Sequence, residues 1–224
     1  MHRVGYAPDS WAWTPWQYAT DGRFSGRWDD PDGLWRSLYV GGSRLACYVE
    51  VLAVFRPDPV LSAEFASINE TPEDAAEHPT LGFGQLPRAW LEPRRLGTAT
   101  LHGWYAVPGG SQSLPTLRVR FLALARSLGL PDLDGAAIRL AEPRRLTQHL
   151  AGWLYEQTGP DGTPLTGVQF ASRYGDELVL WAVFERAGDT PSSAQLHDST
   201  SGPLDPRDPE LTQALQLHRL TWTG

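Results

Sequence analysis

Trp35-Arg-Ser-Leu-Tyr39-Val-Gly-Gly-Ser43-Arg-Leu-Ala-Cys47-Tyr-Val-Glu50-Val-Leu-Ala-Val-Phe55 is the stretch on which the fold turns. Trp35, Ser37 and Tyr39 alternate with Arg36, Leu38 and Val40, the period of two that marks a strand. Gly41-Gly42-Ser43 then turns the chain into a helix running to about Arg56, which Pro57 and Pro59 end. Leu45, Tyr48, Leu52 and Phe55 form one stripe of that helix, while Ala46, Cys47, Ala53 and Val54 surround Glu50 on the other side. A helix apolar nearly all round is expected to be buried. An unpaired carboxylate there would cost several kcal/mol or take up a proton, so Glu50 requires a partner or a pocket.

Outward from this unit, Gly and Pro (22 and 19 residues) punctuate the chain so often that many short elements, an α+β mixture, are expected rather than a helical bundle. A short helix around Val60 to Ala66 precedes an expected surface loop to about residue 80, and Leu96 to Val107 reads as one strand or a hairpin. Leu114, Leu117, Phe121, Leu124 and Leu128 have helical spacing up to Gly129, although Thr116 to Phe121 also alternates as a strand would. Pro143 opens a helix on which Leu146, Leu150, Trp153 and Leu154 share a face, closing before Gly159-Pro160. Val168, Phe170 and Ser172 alternate on a strand, and the loop Arg173-Tyr174-Gly175-Asp176 leads to the apolar run Leu178 to Phe184, typical of a central strand. Residues 187–209 read as a flexible linker before a last helix near Pro209 to Leu217. With 224 residues and 41 % hydrophobic side chains, one domain over residues 1–224 is expected.

The net charge of −7 argues against nucleic-acid or anionic-membrane partners, which are held largely by excess Lys and Arg. A single anionic ligand stays compatible wherever arginines cluster. All 19 basic residues are arginine, which excludes a Walker A lysine, a Schiff-base lysine and a Ser-x-x-Lys nucleophile. Cys47 is the only cysteine, so no intramolecular disulfide or cysteine-based zinc site is expected, and a reducing cytoplasm fits. The first residues lack an apolar signal core, and no run approaches the ~18 apolar residues of a membrane span. There is no Gly-x-Gly-x-x-Gly, no His-Glu-x-x-His and no Gly-x-Ser-x-Gly, and the six histidines show no metal-ligand spacing, so no metal is expected.

What remains is Gly26-Arg27-Trp28, a strand ending in Tyr39, and Glu50 eleven positions later on an apolar helix. Further along come Pro143-Arg-Arg-Leu-Thr-Gln148 before a helix, Gly167-Val-Gln-Phe-Ala-Ser172-Arg173, and Leu180-Trp-Ala-Val-Phe-Glu185. This order resembles the RES-domain family, named for its Arg, Glu and Ser, over most of the chain and loosely between residues 57 and 140. The resemblance implies a compact mixed sheet with flanking helices, similar to the ADP-ribosyltransferase fold. It implies a bacterial toxin that depletes NAD as substrate by hydrolysis or phosphorolysis, with phosphate as a co-substrate in the second case and no bound cofactor. It also implies pairing, in some members, with a helix-turn-helix (Xre-like) antitoxin, and it marks Arg27, Tyr39, Glu50 and Ser172 as the site.

The chemistry of those residue types agrees with that implication. Cleaving the nicotinamide–ribose bond passes through an oxocarbenium-like state, but the leaving group is cationic and departs neutral, so no general acid is needed. O-glycoside hydrolysis, by contrast, takes two carboxylates. One buried glutamate could bind ribose hydroxyls and stabilise the developing charge, an effect worth roughly 10²–10³ in rate. In this reading Arg27 binds the pyrophosphate, with Arg23 near enough in sequence to compete, and the Gly42 and Ser43 amides at the helix start join the anion site. Tyr39 stacks on nicotinamide or ribose, or orients Glu50 through its hydroxyl. Ser172 donates to the nicotinamide amide or a phosphate. Two alternatives stand beside NAD cleavage: transfer of ADP-ribose to a macromolecule, and a non-catalytic dinucleotide- or partner-binding module in which Arg27 and Glu50 are a buried ion pair. Trp28 and Trp35 are either core or part of a ligand-stacking wall.

Overall fold

The chain forms an α+β structure, a mixed sheet flanked by helices, as its punctuation predicts; the computed structural model describes residues 1–66, 82–140 and 142–223. In chain order the elements are β1 (His2–Tyr6), β2 (Ser37–Gly41), α1 (Arg44–Leu52), α2 (Pro59–Ala66), β3 (Gln85–Pro87), β4 (Arg94–Leu101) and β5 (Tyr105–Ala106). Then follow α3 (Leu114–Ser127), α4 (Gly135–Arg139), α5 (Arg144–Tyr155), β6 (Gly167–Ser172), β7 (Gly175–Phe184), β8 (Leu196–Pro203), α6 (Pro209–His218) and β9 (Thr221–Thr223). The surface loop expected after α2 lies, from residue 67 onward to 80, outside the described residues. Among the described residues no helix is long and apolar enough to cross a membrane.

The main sheet has seven strands in the order β5-β6-β7-β2-β1-β4-β8; β5 and β6 run parallel and the other neighbours antiparallel. β3 and β9 form a separate parallel pair. β2 lies against β7 with Tyr39 opposite Ala182, so the strand read first in the sequence sits in mid-sheet beside the most apolar one. Alternation assigns the faces. Leu38 and Val40 pack with Trp11, Trp13 and Val183 on one face, and Tyr39 points to the other.

On that second face the even-numbered residues of β7 meet two groups of helices. Ala182 and Phe184 pack beneath α3, α4 and α5, with Phe121, Ile138, Leu146 and Leu150. Leu178 and Leu180 pack beneath α1 and α6, with Tyr48, Leu52, Leu211 and Leu215. Phe170 of β6 touches both clusters, and a cleft lies between the two helical groups. Trp28 and Trp35 are core, 0 % and 6 % exposed within the first cluster, which settles the two readings of these tryptophans.

α1 starts from an Ser43 cap whose Oγ accepts from the Ala46 amide, and its last turn tightens into a 3-10 turn at Ala53–Phe55 before the prolines. The turn before it admits only glycine at position 41. A Cβ there would lie 2.8 Å from Cys47 Sγ, so glycine lets the helix return close over its own strand. Pro143 is the N-cap of α5 rather than its first helical residue.

Residues 187–209, expected as a linker, contain β8, which pairs with β4 from Arg95 opposite Pro203 to Leu101 opposite Leu196. Its sequence, Leu-His-Asp-Ser-Thr-Ser-Gly-Pro, carries no apolar alternation because it forms the sheet edge and buries neither face, so its backbone bonds alone define it. A bulge between Thr98 and Thr100 lies opposite Asp198, whose φ of 50° is left-handed, a conformation Asp tolerates better than most residues.

Candidate functional site

The cleft contains a cavity of about 450 Å³. Cys47, Glu50 and Val51 of α1 line it, with Val54 just beyond the helix, a set spaced as one helical face. Tyr39 and Gly41 of β2, Phe170 of β6 and Leu180 of β7 form the floor. Four arginines, Arg3, Arg27, Arg144 and Arg173, line the same cavity as Glu50, so an anionic ligand with one cationic centre fits the charge of the walls.

Glu50 has the partner its helix requires, and the partner is a hydroxyl rather than a cation. Ser172 Oγ, at the end of β6, donates to Glu50 Oε1 at 2.5 Å and accepts from the Tyr174 amide at 3.0 Å. Ser172 is 1 % exposed and lies behind the carboxylate, off the cavity wall. The hydroxyl is therefore committed to holding Glu50, and both of its hydrogen bonds are made within the protein. One carboxylate oxygen is fixed this way, and the side chain faces the cavity while only half-buried.

Arg27 comes from the loop before β2 and crosses the cleft without pairing with Glu50. Among the described residues no ion pair within 4.0 Å joins them, which removes the observation on which a structural Arg27–Glu50 pair would rest. Its guanidinium carbon lies 5.1 Å from the Phe170 ring centre and 5.9 Å from that of Trp28, and Nη2 donates to the Ile138 carbonyl at 3.0 Å. Burial lowers the Arg27 pKa, while Tyr39 and Glu50 oppose the shift. Arg23, the competing arginine, donates to the Pro31 carbonyl at an exposed position and lines no part of this cavity.

Tyr39 holds the Arg27 loop. Its hydroxyl accepts from the Trp28 amide at 2.9 Å and donates to Asp29 Oδ1 at 3.0 Å, while Asp29 Oδ2 accepts from the Gly26 amide at 2.5 Å. Burial, and next the Asp29 charge, push the Tyr39 pKa well up, so the phenol keeps the proton it gives to Asp29. Burial also raises Asp29, against the hydrogen bonds it accepts from Gly26 and Tyr39. Gly26 is obligatory here: a Cβ would stand 2.5 Å from both Asp29 Oδ2 and the Tyr39 hydroxyl. The hydroxyl is thus engaged with Trp28 and Asp29 rather than with Glu50, while Tyr39 lines the cavity. From the far side α5 braces the same loop, through Arg144 to the Ser25 carbonyl at 2.5 Å and Gln148 to the Gly26 carbonyl at 3.0 Å. These are two of the four polar residues of the Pro143 to Gln148 window.

The Gly42 and Ser43 amides do not form the expected anion site. The Gly42 amide donates to the Val179 carbonyl, and Glu210 of α6 caps the start of α1 by accepting from the Leu45 amide at 2.5 Å and approaching Arg44 at 3.3 Å. An internal carboxylate therefore takes the place of an external anion, and Ser43 lies off the cavity wall. Arg3 was invisible in the sequence and supplies the cation in its stead. It donates from Nε to the Ser10 carbonyl at 2.6 Å and from Nη1 to the Tyr39 carbonyl at 2.9 Å, and has no carboxylate partner within 4.0 Å among the described residues. Burial lowers its pKa to about 10, so it is charged at neutral pH. The only available signal was its place in a short strand, His2 to Tyr6, which has one buried residue and no periodicity to read.

Cys47 is buried, its thiol 3.0 Å from the His2 carbonyl, and burial pushes its pKa up to about 12, which removes it as a nucleophile at neutral pH. Among the described residues no three His, Cys, Asp or Glu side chains converge to hold a metal ion. Compared with protein-family models, curated proteins and solved structures, the chain matches none.

Proposed function

We propose that this cavity cleaves the nicotinamide–ribose bond of NAD. The observation that carries the reading is a single carboxylate, Glu50, held by a serine and not ion-paired with any of the four arginines that line the same cavity. A carboxylate neutralised by arginine would have little left to offer a developing cation. As the bond breaks, its electron pair leaves with nicotinamide, and positive charge grows on the ribose carbon facing Glu50. Water or phosphate adds to that carbon, water losing a proton to solvent. Arg3 and Arg27 attract the pyrophosphate and hold the ribose in register. The order of residues shared with the RES-domain family supports the same reaction, and with it an NAD-depleting toxin role and an ADP-ribosyltransferase-like ancestry of the sheet.

The test is nicotinamide release from NAD by the purified chain, with and without phosphate. Release is expected, with Glu50→Gln slower by roughly 10²–10³ because the amide carries no charge. Absence of release under both conditions, or a Glu50→Gln variant as fast as wild type, rejects the reading.

A further inference from the structure

We propose that a second cavity, which has Arg27 and Phe170 in common with the Glu50 cavity, takes the adenosine half of the dinucleotide and makes the site selective for dinucleotides over nicotinamide mononucleotide. This rests on the reading of the first cavity as the place where NAD is cleaved. The second cavity has a volume of about 630 Å³ and shares only Arg27 and Phe170 with the first. A dinucleotide is two nucleosides on either side of a pyrophosphate, and the two cavities lie on either side of one shared guanidinium, that of Arg27.

The charges of the walls agree with this division. Arg139, the other guanidinium at the second cavity, is paired with Asp176 at 2.8 Å, which leaves Arg27 as the unpaired cation between the chambers. Nη2 of Arg27 is occupied by the Ile138 carbonyl, and Nη1 makes no hydrogen bond to any described residue, so it is a donor free for the pyrophosphate. The second chamber is otherwise apolar, with Val107, Leu140 and Val179 in its walls; Val107 and Leu140 are 42 % and 47 % exposed. Such a wall suits a flat neutral heterocycle rather than a second charged group.

Ala136 and Gly109 line this chamber and are exposed, and a Cβ at Gly109 meets nothing within 4 Å, so enlarging either fills the chamber without disturbing the core. The experiment measures kcat/KM for nicotinamide release from NAD and from nicotinamide mononucleotide in wild type, Ala136→Trp and Gly109→Phe, with thermal unfolding of each as a check on folding. Wild type is expected to prefer NAD, and each variant to lower that preference about tenfold, mainly through a higher KM for NAD. Equal use of both substrates by wild type, or an undiminished preference in both variants, overturns the subsite while leaving the cleavage reading intact. If wild type cleaves neither substrate, the cleavage reading falls and calorimetric binding of ADP decides the subsite: weakening by both variants supports it, and no binding or equal binding overturns it.

Discussion

Ser172→Ala removes a buried hydroxyl that makes two bonds, one to Glu50 Oε1 at 2.5 Å and one from the Tyr174 amide at 3.0 Å. A hydrogen bond to a charged group contributes about 1.5–3 kcal/mol, and the Tyr174 amide loses its acceptor as well, so a loss of about 2–4 kcal/mol of folding stability is expected. The bond also restrains the free rotation of Glu50. If that same 1.5–3 kcal/mol is what holds the carboxylate against the reacting ribose, kcat falls by about 10- to 100-fold. KM is expected to change little, because Ser172 lies off the cavity wall. The assay is a double-mutant cycle of Ser172→Ala and Glu50→Ala by urea denaturation, joined to nicotinamide-release kinetics of the serine variant. A coupling energy of about 1–2 kcal/mol is expected for residues in direct contact. Additivity within about 0.5 kcal/mol would mean that the bond contributes nothing. A raised KM with intact kcat would instead put the serine on the substrate and refute the positioning argument.

Tyr39→Phe strands the Trp28 amide and one Asp29 oxygen, so it should cost about 1–3 kcal/mol in urea denaturation and raise KM more than it lowers kcat, by loosening the Arg27 loop; unaltered stability together with unaltered KM would count against that role. Asp29 titrates above its ordinary 3.8 because it is buried, so the folded state binds the proton more tightly than the unfolded one and stability drains away as pH rises through the raised pKa. Asp29→Asn, which does not titrate, should therefore gain on wild type in urea denaturation between about pH 4 and pH 7, and a constant gap across that range contradicts the shift. Cys47, with a thiol pKa of about 12 and no exposure worth the name, should resist iodoacetamide at pH 8 in the native state and react once the chain is unfolded in urea; rapid native labelling would show that the helix opens at the cavity.

Local features were legible in the sequence. The alternation of Trp35 to Val40 and the apolar run after Gly42 depend on periods of two and 3.6, and both elements are found within a few residues of their expected limits. Glu50 stood out because a charge on a greasy helix violates a local rule, and such violations tend to sit where a side chain has work to do. Polar edge strand β8 and the short β1 had no such signal. A strand that buries neither face needs no apolar alternation, and it exists because a neighbour accepts its backbone bonds.

The chain by itself determined the class of fold, the absence of lysine and disulfide chemistry, and the carboxylate on which the site is built. Tertiary structure alone decided what each partner does. Ser172 reaches Glu50 across 122 positions and becomes its anchor, and the Tyr39 hydroxyl goes to the Arg27 loop instead of Glu50. Glu210 arrives from 165 positions away to cap α1 against any external anion, while Arg3 enters the cavity because β1 is laid down between β2 and β4. The physical reason is the same in each case: hydrogen bonds and charges act over a few ångströms, and only the folded sheet brings residues so distant in the chain within that range.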